Sequence, residues 1–203
     1  MKTGIYLSYV GLGANLLHLS YCHQVAKKYG PVTIITLCKN LESALADDPL
    51  IEKVYYIDQY HKKLIDIFNL AKVLKSFDFK NLLVFYPRIR LYLSAKLAGI
   101  KNVSIYNIFK KKNLHLVSAA KKLTEDFLQI NNCPTETNFF VNKDELEKVH
   151  KEFINSKFKI VIGAGSSGPT TRWGSKNFSE LINQLNKSDD YFFFMLFGSN
   201  EKR

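Results

Sequence analysis

Three stretches of the 203-residue sequence carry residue types suited to chemistry. The first is Gly11-Leu12-Gly13, followed by Ala14, Asn15 and His18. Glycines between a strand and a helix let the backbone approach a ligand, and a helix start favours anions. The dinucleotide fingerprint G-x-G-x-x-G fails here, because Leu16 stands at its third glycine. Leu37-Cys38-Lys39 also stands where that fingerprint needs an acidic residue. A tight turn without a ligand, a contact to a sugar or other substrate, and a dinucleotide site all stay open at this loop.

The second stretch runs from Gly163 through Gly165, Ser166, Ser167, Gly168, Thr170, Thr171 and Arg172 to Trp173. Hydroxyls and backbone N–H groups in such a loop can hold a diphosphate, which Arg172 would neutralise. It lacks the G-K-[ST] of a Walker loop, which argues against an ATPase. The readings here are a plain loop, or phosphate and nucleotide-sugar binding. The third stretch is basic: Lys110, Lys111 and Lys112, with Lys121 and Lys122. It reads as a solvated charged face, or as a docking surface for a phosphorylated acceptor or an anionic membrane leaflet.

Other arrangements carry less. His18 and Cys22 lie four apart on a predicted helix, with His23 adjacent, but no third ligand is near and no metal site is expected. No Ser-His-Asp or Cys-His signature sits on an elbow turn. Cys22, Cys38 and Cys133 are odd in number, and their spacing matches no disulfide framework, so reduced cytosolic thiols are expected.

The elements that must position these residues alternate. Strand patterns at 5–10, 32–37, 53–57, 82–86 and 103–106 are separated by helical patterns at 15–28, 64–74, 91–97 and 116–128. Such βαβ units wind into parallel sheets. A polar break at 131–138 and a charged helix at 143–153 follow, and then strand, glycine loop, helix and strand recur over 158–197. The pattern predicts a Rossmann-like N-terminal domain over 1–132, a linker with a helix over 133–157, and the start of a second α/β domain over 158–203. A sheet of this type has about 5–6 strands, so the second domain is expected to be incomplete.

Composition bounds the rest. The chain is 46% hydrophobic and 23% charged, a globular balance with net charge +11. Residues 61–122 carry fourteen basic and two acidic side chains, which is essentially the whole excess. Arginine occurs only at 88, 90, 172 and 203. Nucleic-acid readers lean on arginine, so the charge points to another anionic partner. No stretch approaches the roughly 20 apolar residues of a membrane span. A cytoplasmic protein is expected, with peripheral contact to the cytoplasmic face of the inner membrane.

At the two glycine loops the sequence resembles the heptosyltransferases, glycosyltransferase family nine, which build the inner core of bacterial lipopolysaccharide. The matching segments are Gly11 through Leu19, then Ile162 through Ser167 with Arg172-Trp173 and Phe178 through Ile182, then Phe194 through Glu201. The resemblance implies a GT-B fold of two Rossmann-like domains. It implies no cofactor, a nucleotide-sugar donor such as ADP-heptose, an anionic lipid-linked saccharide acceptor, and inverting transfer. Gly11, Gly13, Asn15 and His18 would meet substrate. Ser166 and Ser167 would contact the donor phosphates, with Thr171 at the place of the family lysine and Arg172 beside it. Ala14 occupies the position of the expected catalytic aspartate, and the acidic donor motif lies past Arg203. A non-catalytic relative that binds sugar nucleotide or acceptor is therefore the alternative, and a nucleic-acid binder a remote one.

Overall fold

The computed structural model describes residues 2–58, 63–106, 115–153, 157–165, 173–188 and 190–196. The chain divides into two compact units, 1–143 and 144–203. The stretch 133–157 is thus shared: Cys133 is buried in the first unit's core, whereas the helix at 143–152 belongs almost wholly to the second.

The first unit runs β1 (Thr3–Leu7), α1 (Leu12–Leu16), α2 (Leu19–Tyr29), β2 (Val32–Thr36), α3 (Leu41–Ala44), β3 (Ile51–Tyr56), α4 (Ile65–Lys75), β4 (Asn81–Val84), α5 (Ile89–Leu97), β5 (Asn102–Ile105) and α6 (Leu116–Leu128). Its five strands are all parallel, in the order β3-β2-β1-β4-β5. Successive side chains of a strand face opposite ways, so Ile5, Leu7, Ile34, Leu83 and Phe85 pack with α2 and α6 in one apolar layer. Tyr6, Ile35, Leu82 and Val84 pack with α4 and α5 in the other. Covering both faces is what allows β1, β2 and β4 to be mostly apolar and buried at every residue. Gly4 sits where a Cβ would fall 2.6 Å from the Phe79 ring, so β1 requires glycine there.

The second unit holds α7 (Lys143–Glu152), β6 (Phe158–Gly163), α8 (Ser175–Leu185), a 3-10 turn (Asn186–Ser188) and β7 (Tyr191–Leu196). β6 and β7 pair in parallel from Phe158 with Tyr191 to Gly163 with Leu196. Phe153, after α7, meets the rings of Phe192 and Phe194 at 5.8 and 4.8 Å.

Two expectations are corrected. The first strand spans 3–7 and not 5–10, because residues 8–11 leave the sheet in a turn. The helix expected over 15–28 is two helices, broken at Leu17 and His18. In a continuous helix the His18 N–H would bond the Ala14 carbonyl. It bonds Asn15 O instead, at 2.9 Å, and His18 Nδ1 takes the Ala14 oxygen at 2.7 Å.

Candidate functional site

Strand order reverses between β1 and β4, since the chain builds outward through β2 and β3 and then crosses back. Ligands of open α/β sheets bind at the carboxyl ends of the strands flanking such a point. In this chain those ends lead into Ser8–Gly11 with α1, and into Phe85–Arg88 with α5.

Gly11 and Gly13 are exposed at this edge, and Gly11 precedes α1 with an ordinary extended backbone at φ −79°. A Cβ built on either glycine meets nothing within 4 Å. Neither backbone strain nor close packing requires glycine at these two positions.

Asn15 is buried, and its side chain is engaged inside the protein. The amide donates to Tyr9 O at 2.9 Å and to Gly11 O at 2.7 Å, and its oxygen accepts from Thr36 Oγ1 at 3.1 Å. Thr36 Oγ1 in turn accepts from the Cys38 N–H. Asn15 therefore stitches the β1 turn to the end of β2. It shapes the loop and has no amide proton left for a substrate.

His18 is wholly buried in an aromatic cage. Tyr9 stacks on it at 4.9 Å, and Phe85 meets it edge-on at the same distance. Because a carbonyl can only accept, Nδ1 carries the proton given to Ala14 O. Nε2 then accepts from the Tyr106 hydroxyl at 3.0 Å. Burial holds the His18 pKa below its ordinary 6.5, so the ring is neutral. Tyr106, just past β5, also shares a hydrogen bond with Tyr9. The Tyr9 phenol is pushed up to about 12, chiefly by burial. It keeps its proton at neutral pH and can orient a ligand, but not act as a base.

Across the switch point, Tyr86 meets Tyr9 edge-on at 6.4 Å, and the Arg88 guanidinium lies 5.1 Å from the Tyr86 ring centre. Tyr9, Tyr86, Arg88 and Tyr106 were not among the residues singled out from sequence. The available signal was their place: each lies within four residues of the carboxyl end of β1, β4 or β5.

Ser166, Ser167, Thr171 and Arg172 lie outside the described residues, as do Lys110, Lys111 and Lys112. Lys121 and Lys122 are described, on α6, and each has a carboxylate four residues on: Glu125 at 3.8 Å and Asp126 at 3.0 Å. Their share of the expected basic patch is thereby locally balanced. Gly163 ends β6, and a Cβ there also meets nothing within 4 Å.

Among the described residues no group of three or more His, Cys, Asp or Glu side chains is placed to hold a metal, and no helix is long and apolar enough to cross a membrane. A second buried polar pair, unremarked in the sequence reading, is structural. His23 Nε2 lies 2.6 Å from Asp48 Oδ2, and Asp48 also accepts from the Leu50 N–H.

No protein-family model and no curated protein matches the chain. Solved structures do. ADP-heptose lipopolysaccharide heptosyltransferase II of E. coli matches 98% of this chain at TM-score 0.71 and 16% identity. A glycosyl transferase family 9 protein of Veillonella parvula matches 99% at TM-score 0.71 and 13% identity. The E. coli heptosyltransferase WaaC, solved with ADP, matches 98% at TM-score 0.61 and 11% identity. The chain spans 65%, 64% and 68% of the lengths of these three proteins. Its fold is the α/β GT-B type, as the resemblance at the glycine loops implies.

Proposed function

We propose that this chain is part of a glycosyltransferase of the heptosyltransferase type. It would move a sugar from a nucleoside-diphosphate donor such as ADP-heptose to a hydroxyl of an anionic, lipid-linked saccharide. The observation that carries the reading is the joint one: a fold shared with heptosyltransferases over 98% of the chain, with glycines at the switch point that the fold itself does not need.

In this reading the acceptor lies over Gly11 and Gly13, against Tyr9 and Tyr86, with Arg88 meeting its acidic groups. The donor phosphates are held by the second unit through Ser166, Ser167 and Arg172. The acceptor oxygen attacks the anomeric carbon from the face opposite the nucleotide. As the new C–O bond forms, the bond to the diphosphate breaks, and the nucleoside diphosphate leaves with that electron pair. The hydroxyl proton passes to a base.

The base is the difficult part. The side chain of Ala14 is a methyl group, Asn15 is an amide bound on all sides, Tyr9 keeps its proton, and His18 Nε2 is occupied by Tyr106. This favours a second reading, a relative that binds sugar nucleotide or acceptor without turning over. Transfer of labelled heptose from ADP-heptose to a core-oligosaccharide acceptor separates the two. The first reading expects turnover in the native chain, and faster turnover in Ala14→Asp. Calorimetric binding of ADP without turnover in either form supports the second. Absence of both binding and transfer, in a folded protein, removes both.

A further inference from the structure

Several buried polar side chains of the first unit bond inward and stop there: Asn15 with Thr36, His23 with Asp48, and Asn81 with Thr3. Tyr9, Tyr106 and His18 form a set of another kind. His18 and Tyr106 are buried, but Tyr9 is only half-buried and stands at the switch point. The set therefore joins the edge where a ligand would lie to an enclosed imidazole.

Its protons have one consistent arrangement. His18 Nδ1–H donates to Ala14 O at 2.7 Å, so Nε2 accepts, and it takes the Tyr106 hydroxyl proton at 3.0 Å. A phenol has one proton to give. With that proton on Nε2, the hydrogen bond between Tyr106 and Tyr9 runs from the Tyr9 hydroxyl to the Tyr106 oxygen. All three groups thus point their protons the same way, from Tyr9 through Tyr106 to His18. Neither phenol can hold a second proton, but each can pass one on as it receives another. His18 Nε2 is the one atom of the chain with a lone pair and no proton.

The surroundings leave the imidazole as the group that takes up the proton. The titratable groups about it are Tyr9 from the turn after β1, Tyr21 and Cys22 from α2, and Tyr106 from the end of β5, and burial raises all four above their ordinary values. The cation of this edge, Arg88, sits on the Tyr86 ring. Carboxylates of ordinary pKa about 4 serve as general bases, so an imidazole held below 6.5 is not disqualified by that shift. Once formed, the imidazolium has an oxygen facing each N–H, Ala14 O and the Tyr106 hydroxyl oxygen. The Tyr9 ring stacks on it at 4.9 Å, and an aromatic face favours a cation.

We propose that His18 is the base of this site and that Tyr9 and Tyr106 relay the acceptor's proton to it. The inference rests on the transferase reading and supplies the group that Ala14 lacks. The acceptor hydroxyl gives its proton to the Tyr9 oxygen as the Tyr9 proton moves to Tyr106 and the Tyr106 proton to Nε2. The electron pair of the acceptor O–H bond becomes the new bond to the anomeric carbon. The nucleoside diphosphate leaves with the pair of the bond that breaks. After product release the imidazolium returns its proton to water by the same path. Tyr9 alone touches the acceptor; Tyr106 and His18 act through it.

The test is a double-mutant cycle with the full chain, reading transfer of heptose from ADP-heptose to a core-oligosaccharide acceptor. Tyr106→Phe keeps the ring and removes the relaying oxygen. It is expected to lower kcat roughly 100-fold, the size of a lost general base. Tyr106 is buried away from the acceptor, so the acceptor KM is expected to move by less than about threefold. Tyr9→Phe breaks the relay at its other end and is expected to lower kcat by a similar factor, roughly 100-fold. Ala14→Asp supplies a carboxylate at the switch point and bypasses the relay. On that background Tyr106→Phe is expected to lower kcat by no more than about threefold. Circular dichroism checks that each variant folds. Equal losses on both backgrounds would make Tyr106 a structural support and overturn the relay. Turnover by Ala14→Asp but not by the native chain would also overturn it, while leaving the transferase reading in place. Absence of transfer from both proteins would remove the transferase reading and the relay with it.

Discussion

In the first unit β1 and β2 are buried at every residue; in the second, β6 buries only Ile162 and β7 buries none. Phe158 and Val161 of β6 are 73% and 61% exposed. The local sequences are alike, since both units contain an apolar strand followed by glycines and a helix. What differs is the layering. A parallel strand becomes core when helices cover both faces of its sheet, and β1 has α2 with α6 on one side and α4 with α5 on the other. The same kind of apolar run is thus buried throughout in one unit and part-buried in the other.

Large-to-small substitution is the strongest way to break that contrast. Leu83→Ala, at a fully buried position of β4, is expected to cost about 3 kcal/mol. Val161→Ala, in β6, is expected to change stability by no more than about 0.5 kcal/mol. Urea unfolding followed by circular dichroism gives both numbers. Trp173, the single tryptophan, reports separately on the second unit through its edge-on contact with Phe178. Equal costs at the two positions would mean that β6 is better covered than its exposure implies.

A smaller effect comes from two asparagines that make the same local bond. Asn15 donates to Gly11 O and Asn177 to Trp173 O, each four residues back, near the start of the helix after a glycine loop. Asn15 is buried and also holds Tyr9 O and Thr36, whereas Asn177 is half-buried and makes its bond at the surface. Asn15→Ala leaves two carbonyls and a hydroxyl short of a partner and is expected to cost about 2 kcal/mol. Asn177→Ala, where water replaces the amide, should cost no more than about 0.5 kcal/mol. Asn15→Asp is expected to be worse than Asn15→Ala, because a carboxylate would face the two carbonyls it can no longer donate to.

This network marks where the sequence stops being readable. Runs of β-branched and apolar residues, separated by helical patterning, located every strand of the first unit to within a few residues, because those patterns record burial. The expected strands at 32–37 and 82–86 are β2 and β4, and the expected helix at 116–128 is α6. Pattern could not show that Asn15 would turn inward, or that the His18 side chain would take the Ala14 carbonyl and split one helix into two. Both depend on partners far along the chain: Thr36 for Asn15 and Tyr106 for His18. The glycines were legible as a loop, while Tyr9, Tyr86 and Arg88 became candidates only once the sheet order placed them at one edge. The basic segment was legible as a charge count. Its exposed lysines beside α4 and α5 required the fold.

The acid response is a third difference, and its direction follows from His18. His18 is neutral in the folded chain, and burial holds its pKa below the ordinary 6.5. As pH falls below about 6.5, the unfolded chain takes up a proton that the folded chain refuses. Stability then drops, with a slope of up to about 1.4 kcal/mol per pH unit, until the folded pKa is reached. Stability contributed by the neutral ring is fully present above that window. His18→Gln is expected to flatten the slope between neutrality and mild acid at some cost in absolute stability. An unchanged slope would assign the acid response to other groups.

The last comparison is between two of the glycines that the fold leaves free. Gly13 lies within α1 and Gly163 at the end of β6, and a Cβ at either meets nothing within 4 Å. Gly13→Ala is expected to stabilise the chain by about 0.5–1 kcal/mol, since alanine has the better helix propensity and loses less entropy on folding. Gly163→Ala, at a strand end, should change stability by no more than a few tenths of a kcal/mol. If both loops are seats for ligand backbone approach, each methyl costs binding in a different place. Gly13→Ala raises KM for the acceptor and leaves the donor KM alone, and Gly163→Ala does the reverse. A more stable Gly13→Ala protein with both constants unchanged would reduce the first glycine loop to a turn. The switch point would then rest on Tyr9, Tyr86 and Arg88 alone.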